Sequence, residues 1–343
     1  MAETYTCEKC NKLYKKKIYY DAHILGKVCE KFIKPEPEVE ENYIRPFLKW
    51  VGGKTQILNK VFEKFPKEIN SYHEIFLGGG SVLFELLCRI KNNDIKITGT
   101  IYAYDFNERL INCYKHIQKK PKKLHEELNK LISTLNSCGI LAINREAKTL
   151  EEAMGNKESY YYYVRNQFNK NNTLDTTVSA MFIFLNKTCF RGLYRCGPNG
   201  FNVPYGNNKM PYFPSLEHLT ELSRAIKGVK FIHNSFEESI PNINVGDFAY
   251  MDPPYAPEND KSFVGYNSDG FNLDKHIKLF EMCNTLRTTE KQFIMSNSDV
   301  PLIAKHFPLS QYNIERILCK RSINSKDPGA KTNEVLITQK IKN

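Results

Sequence analysis

Residues 71–86 read SYHEIFLGGGSVLFEL. HEIF has the length of a buried strand, the glycines make a turn, and SVLFEL continues as a helix. That order opens a nucleotide-binding βαβ unit, in which Gly78 and Gly80 let the backbone approach a ligand closely. Gly-Gly-Gly-Ser is equally a generic flexible turn, so the reading depends on what surrounds it.

Outward from this stretch, the apolar runs TIYAYD, VKFIH, DFAYMD and QFIMS each end in turn or acidic residues. Helix-patterned segments separate several of them, which predicts an α/β domain from residue 44 onward. IYAYDFNERL ends its strand in Asp105. An acidic residue at the end of the second strand commonly binds ribose hydroxyls, and the plainer reading is a helix N-cap. The segment Glu108 to Lys227 is too long for one crossover, so most of it, 113–215, is predicted to be a mainly helical insert.

The chain has 343 residues, 41% hydrophobic and 25% charged, within the range of a soluble globular protein. A net charge of +11 with 12% aromatic residues suits a polyanionic partner, nucleic acid before others. Ten cysteines in so long a chain do not make a secreted disulfide framework. There is no apolar run of about 18 residues, and MAETYTCEKC lacks a signal-peptide core. The expectation is an intracellular protein away from membranes, with thiols reduced and some free for metal.

Residues 1–32 hold Cys7, Cys10, His23 and Cys29 in the pattern C-x2-C-x12-H-x5-C. Two thiolates on a turn and two ligands around a following helix close a tetrahedral zinc site. Tyr5, Tyr14 and Tyr20 fall where a small ββα finger needs its core residues. The spacing resembles the C2H2 zinc finger with Cys29 in place of the second histidine. The acidic, proline-bearing segment 33–43 reads as a solvated spacer.

FLKWVGGKTQIL (47–58) contains GGKT and suggests a phosphate-binding loop. The pattern G-x-x-x-x-G-K-[ST] needs a glycine where Leu48 stands, and no apolar strand precedes the stretch, so the ATPase reading fails.

FAYMDPPYAP (248–257) runs an apolar strand into Asp252, Pro253, Pro254 and Tyr255. The prolines stop the strand and leave the Pro253 carbonyl without local competition. Asp252 and that carbonyl can accept both hydrogens of an exocyclic amine, while Tyr255 offers its face to a planar base.

From about Ile44 to the C-terminus the chain resembles the Dam-type (D12 class) DNA adenine-N6 methyltransferases. KWVGGK comes first, followed in the family's order by Phe76, Gly78 and Gly80 in the glycine turn, Asp105, the long insert, DPPY and FIMSNSD. NKTCFRGLYRCGPNGFNVPYG (186–206) looks like the family's target-recognition hairpin, and KRSINSKDPGAKTNEVLI (320–337) like its closing strands. The resemblance implies a Rossmann-like sheet binding S-adenosylmethionine. Trp50 would pack on the cofactor, Lys54 lie near its carboxylate and Asp105 hold its ribose. Phe76 with Gly78 would form the turn under its methionine moiety. Ser235 and Phe236 would border its adenine, although the family usually has an acidic residue where Ser235 stands. Methyl transfer to adenine N6 requires the base to be flipped into Asp252, Pro253, Pro254 and Tyr255.

Lys49, Arg165, Arg191, Arg195 and Pro204 are the candidate contacts to double-stranded DNA. Arg195 stands where family members recognising GATC place an arginine on a guanine. Arg191 replaces that subgroup's Asn, and Asn208 an aromatic residue, so GATC and other short palindromes both remain open. A monomer is expected, and a partner restriction endonuclease is left open. The fused finger hints at a eukaryote or a virus infecting one. Two other readings stand beside the enzyme: a DNA-binding protein with a non-catalytic methylase domain, and methylation of RNA or cytosine N4.

Overall fold

The computed structural model describes residues 5–6, 13–14, 16–25, 44–208, 211–257, 271–320 and 331–340. The chain divides into two compact units, Met1–Tyr43 and Ile44–Asn343. In the first, β1 (Tyr5–Thr6) pairs antiparallel with β2 (Leu13–Tyr14), and α1 (Lys17–Leu25) follows. Tyr20 packs against Tyr5 and Tyr14, with ring centroids 5.9 and 6.3 Å away, and the buried His23 lies 5.1 Å from Tyr14. Cys7, Cys10 and Cys29 lie outside the described residues.

The second unit begins with α2 (Leu58–Phe62), β3 (Glu68–Ile69) and β4 (Tyr72–Glu74). The glycine turn leads into α3 (Ser81–Lys91), β5 (Lys96–Ile97), β6 (Ile101–Asp105) and α4 (Glu108–Lys119). Then come α5 (Pro121–Ser137), α6 (Leu150–Met154), α7 (Lys157–Lys170), α8 (Thr176–Thr188) and the hairpin β7 (Cys196–Gly197) and β8 (Gly200–Phe201). The chain returns through α9 (Leu216–Ala225) to β9 (Lys230–His233), α10 (Phe236–Ser239) and β10 (Phe248–Met251). It closes with α11 (Leu273–Thr288), β11 (Gln292–Ser298), α12 (Pro301–His306), β12 (Tyr312–Lys320) and β13 (Lys331–Gln339).

Seven strands form one sheet in the order β12-β13-β11-β10-β4-β6-β9. The five from β11 to β9 run parallel, and β13 is antiparallel to both its neighbours. Strands buried on both faces read as continuous apolar runs, and all of Phe248–Met251 is buried. The winding reverses between β4 and β10, and open α/β sheets bind ligands outside the carboxyl ends of the strands at that point.

On one face, Phe84, Tyr114, Leu124, Phe168, Phe184 and Phe231 belong to a single buried cluster that runs from the sheet into the helices α5, α7 and α8. The insert therefore shares its core with the sheet. Residues 113–119 of the predicted insert belong to α4, which packs on β6 and β9. The tyrosine run on α7 is core, with Tyr160, Tyr161 and Tyr162 all buried. Among the described residues no helix is long and apolar enough to cross a membrane.

Candidate active site

Hydrogen bonds from Ile75 N to Tyr250 O (3.0 Å) and from Leu77 N to Tyr104 O (2.8 Å) carry β4 up to the glycine turn, between β10 and β6. Gly78 and Gly80 have φ of 48° and 72°. A Cβ on Gly78 would stand 2.9 Å from the Trp50 indole, and one on Gly80 2.6 Å from the Tyr114 hydroxyl. Both backbone conformation and space thus demand glycine. The indole of Trp50 lies against this turn and stacks on Tyr194 and Phe182, at 5.7 and 6.2 Å.

Asp105, at the end of β6, accepts the Gly78 N–H on Oδ2 (2.9 Å) and the Asn107 N–H on Oδ1 (2.8 Å). The helix cap expected as its alternative role falls to Asn107, whose side chain accepts the Leu110 N–H at 3.1 Å. Burial raises the Asp105 pKa, and the two N–H groups oppose the rise. A carboxylate oxygen has lone pairs for a second donor, so hydroxyls can still be held here.

Phe76, Phe236 and Phe271 form an aromatic trio, with ring centroids 5.6 to 6.0 Å apart. Ser235, read from sequence as a neighbour of the cofactor adenine, spends its side chain on a capping box: its Oγ accepts from Glu238 N, and its own N–H donates to Glu238 Oε2. S-F-E-E carries that signature in sequence.

At the end of β10, Lys54 is buried to 3% exposure and its ammonium bonds the Gly52 carbonyl at 2.6 Å and Asp252 Oδ2 at 2.7 Å. The sequence expectation set this ammonium beside a cofactor carboxylate; here its acceptors come from the protein, as a buried cation requires. It also lies 5.0 Å from the centroid of the Tyr255 ring. Asp252 Oδ1 is buried and has no hydrogen-bond partner among the described residues. Burial raises the Asp252 pKa, and the Lys54 ammonium works against that rise. The Tyr255 hydroxyl donates to Glu334 Oε2 at 2.8 Å. Asn297, on β11, accepts the Ala256 N–H at 3.0 Å and so fixes the chain just beyond the tetrad. Beneath lies Glu74, fully buried, accepting from the Tyr72 hydroxyl at 2.9 Å, with its pKa raised to about 8 mainly by burial.

The hairpin read from sequence as a target-recognition element pairs Cys196 with Phe201 and Gly197 with Gly200. Arg165, Arg195 and Pro204 line one open cleft of about 750 Å³ together with Arg145, Lys148 and Tyr162. Arg195 is exposed, its Nε donating to Asn202 Oδ1 at 2.7 Å. Arg165 donates to the Val203 carbonyl at 3.3 Å and covers the Tyr162 ring. Lys49 and Arg191 are not among the residues lining the cleft. Arg191 is exposed at φ 56°, its guanidinium 5.2 Å from the Phe190 ring. Lys49 is stapled by Asn186, which accepts the Lys49 N–H (2.9 Å) and donates to the Lys49 (2.7 Å) and Gly192 (3.1 Å) carbonyls. Next to it, burial and then the Lys49 charge lower the pKa of Lys187 to about 8.

Sequence reasoning missed Glu74, Lys187 and Glu334, and gave Asn297 no role. Local sequence offers no signal for Glu334, whose partner Tyr255 lies 79 positions away.

A family model for the D12 class N6 adenine-specific DNA methyltransferases matches residues 50–323. The chain is 38% identical over 293 residues to the type II methyltransferase M.MjaIII of Methanocaldococcus jannaschii, covering 82% of this chain and 94% of that protein. It is 32% identical to the retron Ec67 DNA adenine methylase of Escherichia coli (80% and 84% covered) and 27% identical to the DNA adenine methylase of Escherichia coli K12 (82% and 90%). With the glycine turn, Asp105 and Asp252 gathered at the sheet's winding reversal, the chain belongs to the D12 class N6 adenine-specific DNA methyltransferases.

Proposed function

We propose that this chain methylates adenine N6 at one short sequence in duplex DNA, receiving a flipped base on Asp252, Pro253, Pro254 and Tyr255. The observation that carries the site assignment is the buried, unpartnered Asp252 Oδ1 beside a salt-bridged Oδ2. Buried acceptors without donors are rare, and one at a ligand-binding strand end is an acceptor for a substrate N–H. The glycine turn, the Trp50 indole, the Asp105 carboxylate and the Phe76–Phe236–Phe271 trio suit S-adenosylmethionine, whose sulfonium supplies an activated methyl group. Trp50 offers an aromatic face to a cation, Asp105 acceptors to ribose hydroxyls, and the trio an apolar wall to adenine. Asp252 and the Pro253 carbonyl accept the two N6 hydrogens and orient the nitrogen lone pair, while Tyr255 stacks on the ring. Burial raises the Asp252 pKa and the Lys54 ammonium opposes that rise, which favours the accepting, ionised form. The N6 proton becomes acidic only as the new C–N bond forms, so orientation and electrostatics do the work and no strong base is required. Lys49, Arg165, Arg191, Arg195 and Pro204 hold the duplex, and Arg195 is the residue for direct reading of a guanine.

Transfer of labelled methyl from S-adenosylmethionine to plasmid DNA, followed by sequencing of modified bases, tests this reading. N6-methyladenine in one short motif is expected, and Asp252→Ala should cut turnover at least about 10³-fold with cofactor still bound. Label in RNA or cytosine N4, or an active Asp252→Ala enzyme, would overturn it.

The N-terminal unit is in this reading a zinc finger held by Cys7, Cys10, His23 and Cys29. Support comes from the hairpin and helix, the packed tyrosines and the burial of His23 on α1. Three thiolates and an imidazole are a zinc donor set. One zinc per chain by elemental analysis, lost on Cys10→Ser, is the expected result; a metal-free purified protein contradicts it.

A further inference from the structure

The Tyr255 side chain has two carboxylates for neighbours. It donates its hydroxyl to Glu334 at 2.8 Å, and Asp252 shares the Lys54 ammonium with its ring, Oδ2 bonding at 2.7 Å the same Nζ that covers the phenol. A buried hydroxyl takes a partner wherever one is offered, and a charged acceptor is preferred. If the phenol turned to Asp252, it would occupy the acceptor that Oδ1 otherwise keeps open. Glu334 sits on β13 between β11 and β12, opposite Ser298 and Ile317, so its backbone is held on both sides. The Lys54 ammonium at 5.0 Å lies over the same phenol ring. A second carboxylate this close to Asp252 is electrostatically unfavourable, which makes its presence informative.

We propose that Glu334 is a positioning residue that draws the Tyr255 hydroxyl away from Asp252, leaving Asp252 Oδ1 open to the amino group of the target adenine. This rests on the reading of Asp252 given above. The role is one of preventing a wrong hydrogen bond, and it makes an unusual genetic prediction. Glu334→Ala frees the hydroxyl to cap Asp252, so kcat falls about tenfold or more while affinity for S-adenosylmethionine and DNA holds. Glu334→Gln keeps an acceptor oxygen and stays within about threefold of the parent enzyme. Removing the hydroxyl as well, in Tyr255→Phe/Glu334→Ala, raises kcat at least about threefold above Glu334→Ala.

The experiment is single-turnover methyl transfer by the full-length chain on a duplex carrying its site, with these three variants and Asp252→Ala. Glu334→Met, which fills the volume without an accepting oxygen, carries the alanine variant's expectation should that variant not fold. A double variant no faster than Glu334→Ala, a Glu334→Gln enzyme as slow as Glu334→Ala, or a fully active Glu334→Ala each overturns the proposal. An active Asp252→Ala instead sinks the reading of the site itself, so the two failures are distinct.

Discussion

Lys54 and Arg195 are both cations assigned to function, and their surroundings differ in kind. Lys54 is 3% exposed and its ammonium touches a carbonyl and a carboxylate of the protein. Arg195 is exposed on a hairpin, bonded to an asparagine that is itself exposed. The corner around Asp252 is fixed by strand ends and buried bonds before any ligand arrives, which favours catalytic preorganisation. The cleft around Arg165, Arg195 and Pro204 is open and presents side chains to whatever docks. In the proposed reading, chemistry belongs to the sheet and sequence choice to the hairpin. Variants in the two regions should therefore fail in different kinetic constants.

The largest effect is expected at the buried corner. Lys54→Met should lower kcat about 10²-fold near neutral pH. The Lys54 ammonium works against the rise in the Asp252 pKa, so without it that pKa moves higher still. Ionised Asp252 is then lost at a higher pH as the solution is acidified, and the acidic limb of the pH–kcat profile shifts upward. An unmoved limb with a raised KM for S-adenosylmethionine would return Lys54 to the cofactor carboxylate and break the comparison.

A smaller effect of opposite character is expected in the cleft. Arg195→Ala should weaken binding of the specific duplex about tenfold and relax sequence choice, with kcat little changed. Arg165→Ala should weaken all duplexes alike and reduce the slope of log K against log salt by about 1. If Arg195→Ala lowers kcat as Lys54→Met does, reading and chemistry are not separable here.

The smallest expected effect lies under the corner. Glu74 is protonated in the folded chain up to about 8, with burial the main cause. An unfolded glutamate ionises near 4.5. Between those values the folded state binds more protons than the unfolded one, so this group's contribution to stability is lost as pH rises through that window. Glu74→Gln should flatten the fall in Tm between pH 5 and 8 and leave kcat near that of the parent. Steeper pH dependence in the variant would contradict this assignment.

The runs HEIF, TIYAYD, VKFIH, DFAYMD and QFIMS each contribute to a strand of the central sheet, and the apolar reading fits best at β10, which is buried along its whole length. The glycine turn was readable for the same local reason: left-handed backbone needs glycine. What sequence could not yield were contacts closed by topology. Glu334 meets Tyr255 only because β13 inserts beside β11, and Lys54 meets Asp252 only because the segment after Trp50 crosses the end of β10. At Ser235 the readable signal was local, since S-F-E-E carries the capping box that the side chain makes.

The Asn186 staple has a consequence for how such an enzyme changes its target. Asn186 bonds both the N–H and the carbonyl of Lys49 and thereby fixes the main chain there, whatever side chain position 49 carries. The Lys49 side chain points into solvent-exposed space, a few residues before Trp50 and Lys54. That side chain lies along Gly192, so a substitution at position 49 is felt at the base of the hairpin, while the pinned main chain carries on unchanged toward Trp50 and Lys54. Were Lys49 to meet DNA as proposed, a change of side chain there would alter that contact while the main chain leading to Trp50 and Lys54 kept its path.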